Sequence, residues 1–207
     1  MAPAWWSEAG TVGTWALAII ALWGDWLKAR LFPPILSVEL LNKHGADLIE
    51  TQFADRSKAM SRYYHLKVTN KRKLSPAVKV QVVISSISKP GPNGTPQIAL
   101  QEPLPLRWRH QEFQPLLLTV GHEERHADVL FVNDRKQLIL LPLFATNNLQ
   151  SVYVGKTELW IAARAEGENC ASKPFVIHVA WDGEWNPGEA EMAKHLQIDL
   201  THDTSAT

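Results

Sequence analysis

Cysteine is almost missing from this sequence. Cys170 stands alone, which excludes an internal disulfide and any zinc centre built on several cysteines, and fits a reducing compartment. Neither charge is in excess: 21 Lys and Arg face 21 Asp and Glu. A chain so balanced lacks the concentrated basic surface that binds nucleic acid, so none is expected as a partner. There is no G-x-S-x-G nucleophile turn and no glycine-rich phosphate loop. No catalytic residue and no cofactor are assigned, and the chain reads as a non-enzyme. Its hydrophobic fraction of 45% is that of a folded protein, and 207 residues suffice for one medium domain and an anchor.

The N-terminus carries what the rest of the chain lacks. From Ala9 to Trp23 there is no charged residue, and the run from Val12 to Leu22 is too apolar for an exposed helix. Five of the nine tryptophans, Trp5, Trp6, Trp15, Trp23 and Trp26, fall in the first 26 residues. From Trp6 to Trp23 is ~26 Å at the α-helical rise, close to the ~30 Å hydrocarbon thickness, which places indoles near both interfaces. A single transmembrane helix over about residues 9–27 is therefore expected. A helix lying in the interface would need a polar face, and a cleaved signal peptide would need a basic start and a small-residue cleavage site; neither is evident. Lys28 and Arg30 follow the run and only Glu8 precedes it, so the expected topology puts the N-terminus outside and the bulk of the chain in the cytoplasm, at the inner membrane. Gly10, Thr14, Ala18 and Ala21 offer small residues for a second helix to approach. A membrane protein partner and the lipid bilayer are the expected contacts.

Pro33 and Pro34 end the helix, and period-two alternation takes over. Strands are predicted over Ile35–Leu41, Tyr63–Asn70, Ala77–Ile87, Leu106–Arg109, Phe113–Val120, Ala127–Val132, Gln137–Phe144, Val152–Ala163 and Phe175–Trp181. Tyr64, Leu66 and Val68 alternate with polar residues, as do Val78, Val80, Val82 and Ile84, and the turn Lys71–Pro76 between them reads as a hairpin. Ser88–Pro105, with five prolines and two glycines, reads as a long loop. Asn186, Pro187 and Glu189 predict the cap, first turn and capping-box partner of a short helix ending near His195, followed by a last strand over Leu196–Leu200. The fold class is mostly β: a β-sandwich over 32–202, preceded by a segment over 1–31 with one transmembrane helix and followed by a mobile tail over 203–207.

His122-Glu123-Glu124-Arg125-His126 matches H-E-x-x-H, in which two histidines one helical turn apart bind zinc and the glutamate activates water. Gly121 before it, charged central residues and strand-like flanks make it a polar hairpin turn instead, which leaves a zinc hydrolase the least favoured reading. Arg107-Trp108-Arg109-His110 reads as a strand with Leu106 and Trp108 inward. Lys71, Arg72 and Lys73 form a basic turn that is a solvated tip or, if the domain hangs close under its anchor, a contact for anionic headgroups. Trp181-Asp182-Gly183-Glu184-Trp185 reads as a tight turn between packed indoles. Glu191 and His195 share a helix face but are only two groups, too few for a metal site. Asn93-Gly94-Thr95 is a glycosylation sequon in form alone.

Trp5-Trp6-Ser7-Glu8-Ala9-Gly10-Thr11-Val12-Gly13-Thr14-Trp15, the apolar run, Lys28, Arg30 and Pro33 resemble a class of uncharacterised small bacterial membrane proteins with one N-terminal helix and a cytoplasmic β-domain. Val68-Thr69-Asn70 with Ala77-Val78-Lys79-Val80 resembles an immunoglobulin-like strand pair, and Trp181-Asp182-Gly183 shares in the likeness. The resemblance implies architecture and carries no activity. The expected role is a non-catalytic accessory or scaffolding subunit of a larger membrane complex; the alternative is a tethered domain that senses a ligand or lipid.

Overall fold

The computed structural model describes residues 23, 24, 28, 30–46, 48–72, 74–109, 117–144 and 146–202. Its strands, in chain order, are β1 (Leu36–Leu40), β2 (Leu48–Gln52), β3 (Lys58–Asn70), β4 (Ala77–Pro90), β5 (Pro96–Leu100), β6 (Leu104–Pro105), β7 (Arg107–Trp108), β8 (Leu118–Val120), β9 (Arg125–Asn133), β10 (Gln137–Leu140), β11 (Val152–Val154), β12 (Thr157–Glu166), β13 (Phe175–Trp181) and β14 (Leu196–His202). One short helix, α1 (Glu189–His195), precedes the last strand. The strands form two antiparallel sheets in a sandwich-like arrangement. One runs β1-β3-β9-β10-β11, with β2 beside β3 and β7 beside β9; the other runs β14-β13-β12-β4-β5, with β6 and β8 beside β4.

The inward faces close on one core. Tyr64, Leu66 and Val68 of β3 and Leu130 and Val132 of β9 meet Val80, Val82 and Ile84 of β4, Leu159 and Ile161 of β12, and Ile177 and Val179 of β13. Each such aliphatic side chain contributes roughly 1.5–3 kcal/mol when fully removed from water. The alternation that defined β13 in the sequence holds without interruption, and its burial alternates residue by residue.

Several expectations are corrected. β3 and β4 are not a hairpin: they belong to different sheets, and the segment between them crosses from one to the other. Two long strands with apolar faces alternate in the same way whether they lie side by side or face to face, and here their apolar faces meet across the core. Val78 is not on the inner face of β4. Lys79 adopts φ 53, and the register against β8 shifts between Ala77 and Val80, so Ala77 takes the inward position. Ser88–Pro105 is not a loop throughout; β4 continues to Pro90, and β5 and β6 follow. Its prolines are tolerated because β5 is an edge strand, with Pro90 and Pro96 paired at the hairpin end. β2 carried no readable alternation and is exposed almost throughout. Val152–Ala163 breaks after Val154 into strands of opposite sheets, and Gln137–Phe144 is ladder only to Leu140. Of Phe113–Val120, β8 is described, and 110–116 lie outside the described residues.

At the far end from β1's first residue, Trp181–Trp185 forms the turn into α1. Gly188 rather than Asn186 is the N-cap, and no side chain caps the helix; the Asn186 carboxamide oxygen instead accepts the Gly188 N–H at 2.8 Å. Gly183 has φ 96, and a Cβ there would lie 2.9 Å from the Gly155 backbone. Gly94 has φ 74 with nothing within 4 Å of its Cβ position. Gly183→Ala is therefore expected to cost more than Gly94→Ala, which bears only the left-handed backbone penalty of about 1 kcal/mol; chemical denaturation of the two variants measures the difference.

Asp182 tests the same turn. Burial works to raise its pKa, but hydrogen bonds from the His195 ring and the Glu184 N–H outweigh it and hold the carboxyl below its ordinary 3.8. A depressed folded value contributes stability that is present above pH 3.8 and lost as the pH falls through the folded value. Asp182→Asn is expected to lower the unfolding midpoint at neutral pH and to flatten its fall below pH 4, read by denaturant titration across that range.

Candidate functional site

The strands bring one end of the sandwich together around the point where the N-terminal segment enters. β1 begins there, β3 ends there with Asn70 opposite Leu36, β8 ends beside the start of β4 with Val120 opposite Ala77, and β13 starts opposite the end of β14, Phe175 against His202. Before β1, Arg30 and Leu31 are helical, and the Phe32 N–H donates to the Lys28 carbonyl at 2.8 Å. Pro33 stops this turn, because proline offers no N–H to continue it.

Asn70 joins the incoming chain to the basic turn. Its carboxamide oxygen accepts the Ile35 N–H at 3.2 Å and the Arg72 N–H at 3.1 Å. Its Nδ2 donates to the Ser75 carbonyl at 2.7 Å and reaches the Val120 carbonyl at 3.5 Å. The Lys71 N–H donates to the Ile35 carbonyl at 2.8 Å, and the Arg72 guanidinium to the Pro33 carbonyl at 3.4 Å. The basic turn is thus fixed against the residues that follow the helical turn ending at Leu31. Lys71 is exposed, Arg72 is half-buried, and Leu74 beside them is 63% exposed. Lys73 lies outside the described residues.

The other sequence-predicted residues are distributed as follows. Trp5, Trp6, Trp15, Trp26, Gly10, Thr14, Ala18 and Ala21 lie outside the described residues, as does the tail 203–207. Trp23 is helical and exposed, and Lys28 and Arg30 are helical. No helix among the described residues is long and apolar enough to cross a membrane; the expected span over 9–27 lies almost wholly outside them.

The H-E-x-x-H match is not helical. His122 and Glu123 sit in the connection between β8 and β9, and His126 is the second residue of β9. The connection passes between sheets, so it is a corner and not the hairpin turn expected. His126 Nε2 engages Glu124 at 3.1 Å and Arg125 engages Glu123 at 3.2 Å. Neither histidine has the helical partner geometry that zinc hydrolysis requires. Glu191 and His195 also part company: Glu191 binds Lys194 at 2.7 Å, and His195 Nδ1 meets Asp182 at 2.8 Å. Among the described residues no group of three or more His, Cys, Asp or Glu is placed to hold a metal. Trp108 and Leu106 are buried, as their alternation implied. Cys170 is half-buried, and burial pushes its thiol up.

Two features escaped the sequence. His65 is 2% exposed and its Nδ1 pairs with Asp128 at 2.8 Å across β3 and β9; Nε2 is buried with no partner among the described residues, and the ring stacks on Tyr63 with centroids 6.1 Å apart. A cavity of about 470 Å³ lies at the other end, where Lys89, Gln150, Tyr153 and Glu158 converge. Lys89 Nζ donates to Gln150 at 2.5 Å and stands 4.9 Å from the Tyr153 ring centroid, and burial pushes the Tyr153 hydroxyl up to about 12. Lys89 lies some sixty positions before the other three in sequence, with no motif to link them.

No protein-family model, curated protein or solved structure is similar to this chain. The functional reading therefore rests on its own geometry.

The Asn70 junction makes a specific prediction. Asn70→Ala removes three hydrogen bonds of 3.2 Å or less and leaves the buried Ser75 carbonyl without its donor, a loss of roughly 2–3 kcal/mol. Hydrogen exchange is expected to accelerate at Ile35 and Arg72 while the amides of β12 and β13 stay protected; equal acceleration in both places would show the junction has no local role.

Proposed function

We propose that this chain is a non-catalytic accessory or scaffolding subunit of a larger membrane complex, held in a bacterial inner membrane by one helix over about residues 9–27. In this reading the N-terminus is outside, the β-domain is cytoplasmic and immunoglobulin-like, and the tryptophans mark the two interfaces. The observation that carries it is the junction between the incoming chain and the basic turn. Phe32, Pro33 and Pro34 span at most about 10 Å, and Ile35 is then tied to Asn70 and Lys71. An anchor in the bilayer would hold this end of the sandwich against the headgroups and leave the opposite end to face a partner. Lys71 and Arg72 then lie where anionic headgroups attract cations, the contact also proposed for Lys73 from its place in the sequence. Two terminal strands also expose apolar side chains suited to a docking partner, Ile98 on β5 at 62% and Val154 on β11 at 73%.

The alternative, a tethered ligand-sensing domain, draws support from the cavity around Lys89 and Tyr153, which combines a cation, an aromatic face and a carboxylate. Purification from native membranes in mild detergent, with mass spectrometry of co-migrating proteins, separates the two. A stoichiometric large complex is expected. A protein that runs alone or as a homo-oligomer overturns the accessory-subunit reading, and a ligand-induced shift in melting temperature abolished by Lys89→Ala would establish the alternative.

A further inference from the structure

The end of the sandwich that carries the basic turn also holds a groove of about 240 Å³, assembled from both sheets. Its apolar wall comes from the start of β1 and the residue before it: Ile35 is 44% exposed and Leu36 is buried. Lys71 stands at one side, and Lys173 and His202 stand at the other. Lys71 and Lys173 are 102 residues apart in sequence and converge because β1 and β14 close the same edge of the sandwich.

We infer that this groove is a binding site for the phosphate of an anionic lipid headgroup, with Lys71 and Lys173 as its two cationic arms. The inference rests on the membrane-held reading above and adds to it the site, the second lysine and the ligand class. Four observations carry it. Both lysines are exposed and neither has a carboxylate partner among the described residues, whereas Lys79, the third residue of β4, is bound to Glu168 at 2.9 Å. None of the described residues lining the groove is acidic. Glu39, farther along β1, is engaged by Ser37 at 3.4 Å and Lys67 at 3.5 Å. The backbone that carries Lys173 is fixed: Ser172 Oγ accepts the Ala165 N–H and donates to the Lys173 carbonyl, both at 2.9 Å. Two lysines on rigid supports beside an apolar wall fit a ligand whose phosphate is charged and whose glycerol and first methylenes are not.

A lipid is favoured over a free phosphate by where the groove sits. Ile35, which forms its wall, is three residues beyond Phe32 and the helical turn that begins at Lys28. The apolar, tryptophan-flanked run ends at Trp23 and the expected span at about residue 27, so any bilayer that receives that run has its headgroups within reach of the groove. Phe32 and Leu74, 43% and 63% exposed, add apolar side chains at the same end.

The test uses the full chain reconstituted into phosphatidylcholine vesicles with and without phosphatidylglycerol, and reads amide exchange at residues 71, 72, 172 and 173. Slower exchange with phosphatidylglycerol is expected, reversed by high salt and lost in Lys71→Gln/Lys173→Gln, while amides of β12 and β13 are unchanged. Each single glutamine variant is expected to weaken the effect about five-fold. Equal exchange in the two vesicles overturns the site. Protection produced in phosphatidylcholine vesicles by inorganic phosphate alone overturns the lipid as its ligand. If the chain washes off phosphatidylcholine vesicles altogether, the anchor has failed, and flotation with phosphatidylglycerol vesicles then decides the groove by itself: salt-reversible binding that needs both lysines upholds it, and no binding removes it.

Discussion

The carboxamide of Asn70 is the constraint on which this end of the molecule depends. Where a chain leaves one sheet for another, its backbone groups lose their ladder partners, and a buried orphan costs about as much as a lost hydrogen bond. Asn70, 8% exposed, meets that need with a single side chain. Its oxygen takes two N–H donors and its nitrogen reaches carbonyls on either side of the crossover. Aspartate could accept but not donate, and serine could not span the corner. The position of the incoming chain, the basic turn and the start of β4 all follow from this residue.

The opposite end is closed by a comparable device. Arg62 stands on the inward face of β3, 5% exposed, and its guanidinium donates to the Pro187 carbonyl at 2.6 Å across 125 residues of sequence. Gly45 lies directly on the arginine stem, where a Cβ would come within 2.5 Å of Cγ. Tyr64, the next inward residue, has its hydroxyl fully enclosed, and burial pushes that hydroxyl far up. Between these closures the core is mostly aliphatic, with Trp108 buried in it. The sandwich is therefore pinned at both ends by polar side chains that reach between segments distant in sequence, and its middle is held by area burial.

Alternation made most strands legible, because period two is set by the pleat and a half-buried strand must display it. β13 shows this without exception. What alternation cannot express is which strand lies beside which. β3 and β4 share a pattern that suits a hairpin and a face-to-face pair equally, and the distinction lies in Asn70 and a six-residue crossover. Bulges were also invisible: Lys79 in a left-handed conformation shifts the phase of β4, and no residue type announces it. The basic turn was legible as a charge run, but the groove's second lysine was not, since Lys173 reaches the groove only after β13 and β14 have folded back. The His65–Asp128 pair was hidden for the same reason, being a cross-strand contact between residues 63 apart.

Net neutrality, read from composition, argued against any broad attraction to nucleic acid. The folded chain shows why that sum says little about one surface. Lys43 is matched by Asp199, Lys58 by Glu50, Lys79 by Glu168, Lys136 by Glu184 and Lys194 by Glu191. Such exposed pairs contribute little stability, with a median near 0–1 kcal/mol. Their larger consequence is to cancel the field over most of the surface, so that the cations left over set the local potential. Among the described residues Lys71 and Lys173 are two cations without a carboxylate partner, and they line one groove at the end where the chain enters from its apolar run. A neutral protein can in this way present a positive face, and the pairing of its other charges is what makes that face stand out.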